Sequence, residues 1–168
     1  VYGEDPHLPR LESQRPQPLS PYAAQKLAAE TYGQVFWHSY GFETVALRYF
    51  NVFGPRQRPD SPYAAVIPLF MKWAAGGEPL VIHGDGLQSR DFTYVDNVVS
   101  ANLLAASVGG VGGRVFNTAC GTHYSLLDLA ESLETALGHK LERRHVDDRP
   151  GDVKHSEADI SAAREALG

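Results

Sequence analysis

The pattern of apolar and polar residues along the chain predicts alternating helices and strands. The first helix is expected at Pro21–Tyr40, because Ser20 is a good N-cap and Gly41 is a residue type that commonly ends helices. The run 44–50 is β-branched and mostly apolar, which is typical of a buried strand in a parallel sheet. Asn51 is expected at the carboxyl end of that strand. Repetition of this order along the chain indicates an α/β fold.

Shorter elements complete the predicted pattern. Further helices are expected at 65–75, 96–107, 125–138 and from about 159 onwards. Short strands are expected at 80–83, 91–94, 115–118 and 141–146. Asp96 is predicted to cap one helix, and Ser125 with Asp128 to form the capping box of another. Four prolines interrupt the polar segment 4–19, which is therefore predicted to be a surface loop.

The segment 109–113 contains four glycines and could be mistaken for a phosphate-binding loop. A dinucleotide fingerprint needs a strand, a glycine turn and a helix N-terminus in that order, so that backbone amides converge on the pyrophosphate. Here the glycines follow a predicted helix and precede a predicted strand. This order predicts a structural turn rather than a phosphate site.

Composition excludes several classes of protein. The 168 residues suffice for one domain with a core, and a net charge of -5 with scattered basic residues argues against nucleic acid binding. The seven histidines and the single cysteine, Cys120, show no metal-ligand spacing, so no metal is expected. No apolar run approaches the ~18 residues of a membrane span, and a single cysteine fits a reducing compartment. We therefore expect a soluble, cytoplasmic protein with no membrane partner.

One pair of residues on the first helix has a chemically specific spacing. Tyr22 and Lys26 lie four positions apart, which places both side chains on one helix face. A nearby ammonium favours a phenolate, and a phenolate can act as a base. Since Ser20 is expected to cap the helix, Tyr22 falls in the first turn, at the mouth of a site. The alternative is an aromatic residue with a solvated neighbour, because this spacing also occurs by chance.

Polar residues at three separate places are candidates for binding an anion. Asn51 follows a predicted strand, and Arg90 and Arg149 lie in predicted loops after strands. Guanidinium groups bind phosphate through paired donors, and the ligand sites of α/β proteins gather at such loops. Alternatively, both arginines are partners in surface ion pairs.

Several ordered motifs together resemble those of one family. They are Val1-Tyr2-Gly3, the segment 20–26 with Tyr22 and Lys26, the run 47–57, and 84–92. On these motifs the chain resembles the extended short-chain dehydrogenase/reductases, and among them the NAD-dependent nucleotide-sugar epimerases and dehydratases. The segments 62–68 and 149–156 are similar to those of 4-epimerases for UDP-N-acetylglucosamine, UDP-glucuronic acid and UDP-glucose.

The resemblance implies a role for each matching residue. Tyr22 would exchange a proton with the sugar 4-hydroxyl, Lys26 would assist it and hold the nicotinamide ribose, and Phe50 would lie against NAD. The UDP-sugar substrate would be bound through its diphosphate by Asn51, Arg90 and Arg149, through its ribose by Asp152, and in a uridine pocket shaped by Ala65, Val66 and His83. The implied reaction is epimerisation at C4, with transient hydride transfer to tightly bound NAD.

The resemblance also implies how the chain is organised. We expect the C-terminal part of an extended Rossmann-like fold, with a smaller substrate-binding α/β subdomain. Residues 1–62 would end the NAD-binding domain and carry the Tyr-Lys helix and the following strand. Residues 63–168 would mainly bind the nucleotide sugar, with some segments returning to the NAD-binding sheet. The glycine-rich Rossmann half of the family would precede Val1, so we expect a fragment that is inactive alone.

Two alternatives to a 4-epimerase stay open at this point. The full-length protein could be a nucleotide-sugar 4,6-dehydratase or reductase of the same architecture, or the chain could be a non-catalytic fragment that binds a nucleotide sugar. The resemblance further implies a homodimer for the full-length protein. Phe36 and Trp37 are candidates for the dimer interface, unless they lie in the core.

Overall fold

Helices and strands alternate along the chain. The computed structural model describes residues 1–3, 5–60, 65–148 and 153–168. The helices are α1 (Pro21–Tyr40), α2 (Val66–Gly76), α3 (Val95–Ser107), α4 (Leu126–Leu137) and α5 (Ser161–Leu167). The strands are β1 (Ala46–Tyr49), β2 (Asn51–Phe53), β3 (Leu80–His83), β4 (Ser89–Arg90), β5 (Phe92–Tyr94), β6 (Val115–Thr118), β7 (Tyr124–Ser125) and β8 (Arg143–Val146). The predicted α/β class is confirmed. Within these ranges, no helix has the length and apolar character needed to cross a membrane.

The strands of the described residues associate in pairs. β1 with β6, β2 with β5 and β3 with β8 are parallel pairs, whereas β4 and β7 are antiparallel. The sequence prediction lacks β4 and β7, because a strand of two residues carries no periodic signal.

The apolar run 44–50 does not form one strand. After β1, a single residue leads into β2, which has a new partner, β5, and pairs Asn51 with Phe92. That single residue is Phe50, whose N–H donates to the carbonyl of Thr118 at the end of β6 (3.1 Å). The prediction that Asn51 follows the strand is therefore wrong in detail. Asn51 begins a second strand, because the chain changes its pairing partner at Phe50.

Capping residues explain where the helices begin and end. Ser20 Oγ accepts a backbone N–H of the first turn of α1 (3.1 Å), and Gly41 ends this helix with a φ of 64°. Ser125 and Asp128 form the predicted capping box of α4. Asp96 is not the N-cap of α3, which corrects the prediction. The chain enters α3 directly from β5, so Asp96 lies within the first turn, where a carboxylate is favourable at the positive end of the helix dipole.

Two apolar clusters form the core of the part of the chain that the structure describes. The first buries Phe70, Leu80 and Ile82 where α2, β3 and α4 pack together. The second contains Phe116 of β6 and Leu167 of α5.

The proline-rich segment is not confined to the surface. Arg10 is only 5% exposed, its N–H donates to the Glu157 carbonyl (2.8 Å), and its carbonyl accepts from the Asn117 side chain (2.7 Å). The prediction of a surface loop is therefore wrong at Arg10. The backbone of the segment is buried there because β6 and the C-terminal segment satisfy its polar groups.

The glycine-rich turn between α3 and β6 accommodates the indole of Trp37. A Cβ atom on Gly113 would lie 2.2 Å from Trp37 Cδ1, and one on Gly112 would lie 2.8 Å from the same ring. Gly113 also has a φ of 75°, a conformation that residues with a Cβ atom rarely adopt. Trp37 is thus partly packed within the chain. Phe36 remains 46% exposed, with its ring centroid 5.6 Å from that of Tyr40.

Gly113→Ala is expected to lower the free energy of unfolding by about 2 kcal/mol or more, because the methyl group adds both backbone strain and a clash with the indole. Urea unfolding followed by tryptophan fluorescence measures the change. Gly109→Ala is the matched control, since a Cβ atom there meets no atom within 4 Å and its φ is not positive. We expect the control to change stability by no more than about 0.5 kcal/mol. Equal losses in the two variants would contradict this account of the turn.

Glu134 of α4 is a nearly buried carboxylate with three donors. It accepts from Lys140 Nζ (2.8 Å), the Leu141 N–H (3.2 Å) and an Arg143 terminal nitrogen (3.0 Å). The hydrogen bond from Lys140, with those from Leu141 and Arg143, lowers the pKa of Glu134 from 4.5 to about 2, although burial opposes the shift. The carboxylate therefore stabilises the fold above pH 4.5, and this contribution is lost as the pH falls from 4.5 to about 2.

We accordingly expect Glu134→Gln to be less stable than the wild type at neutral pH, with the difference in Tm narrowing across that acid range. Thermal unfolding followed by circular dichroism at a series of pH values measures the difference. Glu131→Gln, an exposed position on the same helix, is the control. A difference for Glu134→Gln that stays constant down to pH 2 would refute the assignment.

Candidate active site

A cavity of about 420 Å³ lies between β2, β3 and the beginning of α2. Five of the residues expected to bind substrate line it, namely Asn51, Ala65, Val66, His83 and Arg90. Apolar side chains supply much of the remaining wall, among them Phe53, Leu69, Trp73, Val81 and Leu126. The fold thus gathers separate sequence segments around one space, with polar groups set in an apolar lining.

The segment 88–92 contributes more to the cavity than sequence analysis identifies. Gln88, Arg90 and Phe92 all line the cavity. In extended backbone, side chains at every second position point to the same side, so this spacing of two accounts for their shared orientation. In the sequence, the charge of Arg90 marks it as a candidate, whereas Gln88 and Phe92 could be found only from the alternation of side chains.

Backbone carbonyls orient two of the three polar side chains expected to bind phosphate. Arg90 Nη1 donates to the carbonyls of Ser89 (2.8 Å) and Lys154 (3.2 Å). Asn51 Nδ2 donates to the carbonyl of Asp91 (3.3 Å). The guanidinium and the amide are therefore held at the cavity wall, and a preorganised cation with nearby amide groups is suited to an anionic ligand.

Asp91, which sequence analysis does not identify as functional, supports this wall from behind. Its carboxylate is fully buried and accepts from the N–H groups of Cys120 (2.9 Å), Gly121 (3.0 Å) and Ala158 (3.4 Å). Burial raises the pKa of Asp91, while these hydrogen bonds oppose the shift. The carboxylate ties the loop after β6 and the C-terminal segment to the end of β4, the strand that carries Arg90.

His83 and the start of α2 add further polar groups. His83 Nδ1 lies 2.9 Å from the carbonyl of Asp147. Because a carbonyl oxygen only accepts, Nδ1 carries the hydrogen, and Nε2 of the neutral ring is an acceptor. Ala65 is the N-cap of α2 and has no side-chain oxygen to accept the first N–H groups of the helix. A helix N-terminus of this kind presents donors and a positive dipole end to a ligand.

Tyr22 and Lys26 lie on one face of α1, as their spacing predicts. Lys26 Nζ is 5.5 Å from the centroid of the Tyr22 ring, and Tyr22 is 69% exposed. Phe50 is half-buried between β1 and β2, with its ring centroid 6.1 Å from that of Tyr2. Tyr22, Lys26 and Phe50 do not belong to the described lining of the cavity. The predicted site residues that the structure describes therefore form two groups, one on α1 and at Phe50 and the other around the cavity.

The remaining two predicted site residues are Arg149 and Asp152. Both lie outside the residues that the structure describes.

Comparison with known proteins identifies the family. Residues 1–119 match the profile of the NAD dependent epimerase/dehydratase family. The chain belongs to this family. Membership confirms the predicted resemblance to this family. NAD is the cofactor of the epimerase/dehydratase family.

Individual relatives of the epimerase/dehydratase family agree with this assignment. A UDP-N-acetylglucosamine 4-epimerase from Methanobrevibacter ruminantium, solved with UDP-N-acetylmuramic acid, is similar with a TM-score of 0.95 and 48% identity, over 100% of this chain and 53% of that chain. A UDP-glucuronic acid 4-epimerase from Bacillus cereus, solved with UDP-glucuronic acid and NAD, gives a TM-score of 0.85 and 37% identity, over 99% and 52% of the two chains. A UDP-glucose 4-epimerase from Mycolicibacterium smegmatis is 36% identical over 168 residues, which is 100% of this chain and 53% of the relative. The chain has the Rossmann-like fold of these epimerases and spans about half their length.

Proposed function

We propose that this chain carries the catalytic helix and the substrate site of an NAD-dependent enzyme that epimerises C4 of a UDP-sugar. The observation that carries the proposal is the cavity of about 420 Å³, where Asn51 and Arg90 are held in place beside the N-terminus of α2. This volume lies within the usual range for small-molecule sites. Relatives solved with UDP-sugars support the substrate class.

The diphosphate of the substrate binds at the polar end of the cavity in this proposal. Arg90 and Asn51 donate to the phosphate oxygens, and Arg149 joins them. Asp152 contacts the ribose. Charge-assisted bonds from a guanidinium are among the stronger hydrogen bonds, which makes Arg90 the main determinant of substrate affinity.

The uridine occupies the part of the cavity beside α2 and β3. Ala65 and Val66 leave room for the planar base, and apolar surface near them receives its faces. His83 offers an Nε2 acceptor for a base N–H, because its Nδ1 hydrogen is committed to a backbone carbonyl.

Tyr22 and Lys26 of α1, together with Phe50, fit the nicotinamide end of NAD. Lys26 carries ammonium donors suited to ribose hydroxyls, Tyr22 is exposed beside it, and Phe50 adds an apolar ring. When bound, NAD supplies the hydride acceptor for oxidation at C4. Tyr22 takes the proton of the sugar 4-hydroxyl and later returns it to the same oxygen, while Lys26 stabilises the phenolate.

We further propose that residues 1–62 end the NAD-binding domain and that residues 63–168 mainly form the substrate-binding part. The parallel pairing of β1 with β6 supports a return of the later segment to the earlier sheet. Since the chain spans about half the length of its relatives, we propose that it is inactive alone. We also propose that the full-length enzyme is a homodimer. Exposed Phe36 on α1 is a candidate contact of that dimer, which sedimentation of the full-length enzyme tests.

Product analysis of the full-length enzyme tests the proposed reaction. Incubation with UDP-glucose, UDP-N-acetylglucosamine or UDP-glucuronic acid is expected to give the C4 epimer of one of them, identified by NMR. A 4-keto-6-deoxy product would instead establish a 4,6-dehydratase, the other activity of the epimerase/dehydratase family. Binding of UDP without any conversion would favour a non-catalytic nucleotide-sugar protein. For the isolated chain, robust turnover with added NAD would contradict the proposed need for the other half.

A further inference from the structure

A buried ion pair joins the Tyr-Lys helix to the first strand. Arg48 of β1 donates from Nε to Glu30 Oε2 (2.8 Å) and from Nη2 to Glu30 Oε1 (2.7 Å). Only 8% of the Arg48 side chain and 9% of the Glu30 side chain are exposed. The bidentate geometry occupies both carboxylate oxygens of Glu30, which is the strong and orientationally specific form of this interaction.

Glu30 stands in line with the two residues proposed to act in catalysis. Tyr22, Lys26 and Glu30 follow one another at intervals of four residues on α1, so each lies one turn from the next on the same helix face. A carboxylate one turn from a lysine attracts its ammonium. Lys26 therefore has two possible partners on its own helix, the Tyr22 ring on one side and Glu30 on the other.

The observed arrangement resolves this competition in favour of Tyr22. Lys26 Nζ lies over the Tyr22 ring, 5.5 Å from its centroid, while both Glu30 oxygens face Arg48. We propose that Arg48 is a positioning residue, which holds the Glu30 carboxylate against β1 so that the Lys26 ammonium stays directed at Tyr22. The catalytic part of this inference rests on the proposed function.

Neighbouring residues hold the guanidinium of Arg48 in place. The Tyr2 ring lies under it, 4.8 Å from the guanidinium carbon, and the carbonyl of Glu12 accepts from Nη1 (3.5 Å). Tyr2 is in turn hydrogen-bonded through its hydroxyl to Asn117 of β6. Burial alone would lower the pKa of Arg48, but its hydrogen bonds with Glu30 and Tyr2 raise it above the ordinary value. Arg48 thus remains a permanent cation facing Glu30.

Two single substitutions remove the same ion pair but leave opposite groups behind. Arg48→Gln leaves Glu30 as a buried anion without its cation, and the nearest ammonium on the helix face is that of Lys26. Glu30→Gln leaves no anion to compete for Lys26. A purely structural ion pair predicts similar catalytic losses in the two variants, whereas the proposed role predicts an asymmetry.

The kinetic experiment uses the full-length enzyme with saturating NAD. We expect kcat to fall about tenfold or more in Arg48→Gln but no more than about threefold in Glu30→Gln, with KM for the UDP-sugar changing less than about twofold in both. The double variant Glu30→Gln/Arg48→Gln is expected to recover kcat to within about threefold of the wild type. Conversion by the wild type is measured first, because its absence would refute the proposed function. If the wild type is active, equal losses of kcat in the two single variants overturn the inference about Arg48 and leave the proposed function in place.

Two further measurements separate a positioning role of Arg48 from a purely structural one. The crystal structure of Arg48→Gln is expected to show a Glu30 oxygen within about 4 Å of Lys26 Nζ, the usual limit for an ion pair, and a Glu30 that stays away from Lys26 would overturn the inference whatever the enzyme does. If Arg48→Gln fails to fold, Arg48→Lys takes its place. This variant keeps a cation beside Glu30, so it should retain kcat within about threefold while losing thermal stability, and a tenfold fall in its kcat would also overturn the inference.

Discussion

Replacing Tyr22 with phenylalanine in the full-length enzyme is expected to lower kcat roughly 1,000-fold, with little change in the KM for the UDP-sugar. The substitution removes one hydroxyl from a residue that is 69% exposed at the beginning of α1, so the fold should not change. The reason for the loss is chemical. Without the phenol oxygen, the first turn of α1 has no group that can take the proton of the sugar 4-hydroxyl. Steady-state conversion of the UDP-sugar measures the effect.

Tyr32→Phe provides the matched control for this prediction. Tyr32 lies on the same helix, is 67% exposed, and is not among the proposed site residues. The control is expected to keep kcat within about twofold of the wild type. If Tyr22→Phe were as active as Tyr32→Phe, Tyr22 would not be the proton carrier.

Arg90→Gln is expected to raise the KM for the UDP-sugar about 30-fold, because a hydrogen bond to a charged group contributes about 1.5 to 3 kcal/mol. kcat should change much less, since the diphosphate keeps its charge throughout the reaction and is bound alike in the ground and transition states. Isothermal titration with UDP provides a second measurement, with the same expected fall in affinity.

Arg164→Gln is the control for the charge change, because Arg164 is exposed on α5 and does not belong to the described cavity lining. We expect its KM to match that of the wild type. Arg90→Gln with wild-type affinity for UDP would place the diphosphate elsewhere. A loss confined to kcat would instead connect Arg90 with the chemical step.

The sequence predicted the long elements well because their signals are local. Ser20 and Gly41 define both ends of α1, and the reciprocal pair Ser125 and Asp128 defines the start of α4. Such caps satisfy backbone groups within a few residues, so no knowledge of the rest of the fold is needed. The failures at Asp96 and within 44–50 have the opposite cause. Both depend on β5, which leads directly into α3 and takes over the pairing of the chain after Phe50.

The same difference between local signals and long-range contacts applies to the residues of the candidate site. The spacing of Tyr22 and Lys26 is visible in the sequence because one helix carries both residues. Asp91 could not be recognised, because its donors on Cys120, Gly121 and Ala158 come from segments far along the chain. The ion pair of Arg48 and Glu30 could not be predicted for a similar reason. The two residues lie on a strand and a helix, which bring the charges together only when they pack in the fold. Groups that act through a partner on another element become visible only in three dimensions.

The change of partner at Phe50 lets the strands on its two sides respond separately to substitution. Residues 46–49 are matched to 115–118, whereas residues 51–53 are matched to 92–94, so the two registers are set by different partners. A substitution in β5 is therefore expected to shift Asn51 and its neighbours in β2 without moving the register of β1 with β6. The cavity wall formed by β2 can thus change shape while the β1–β6 ladder stays intact.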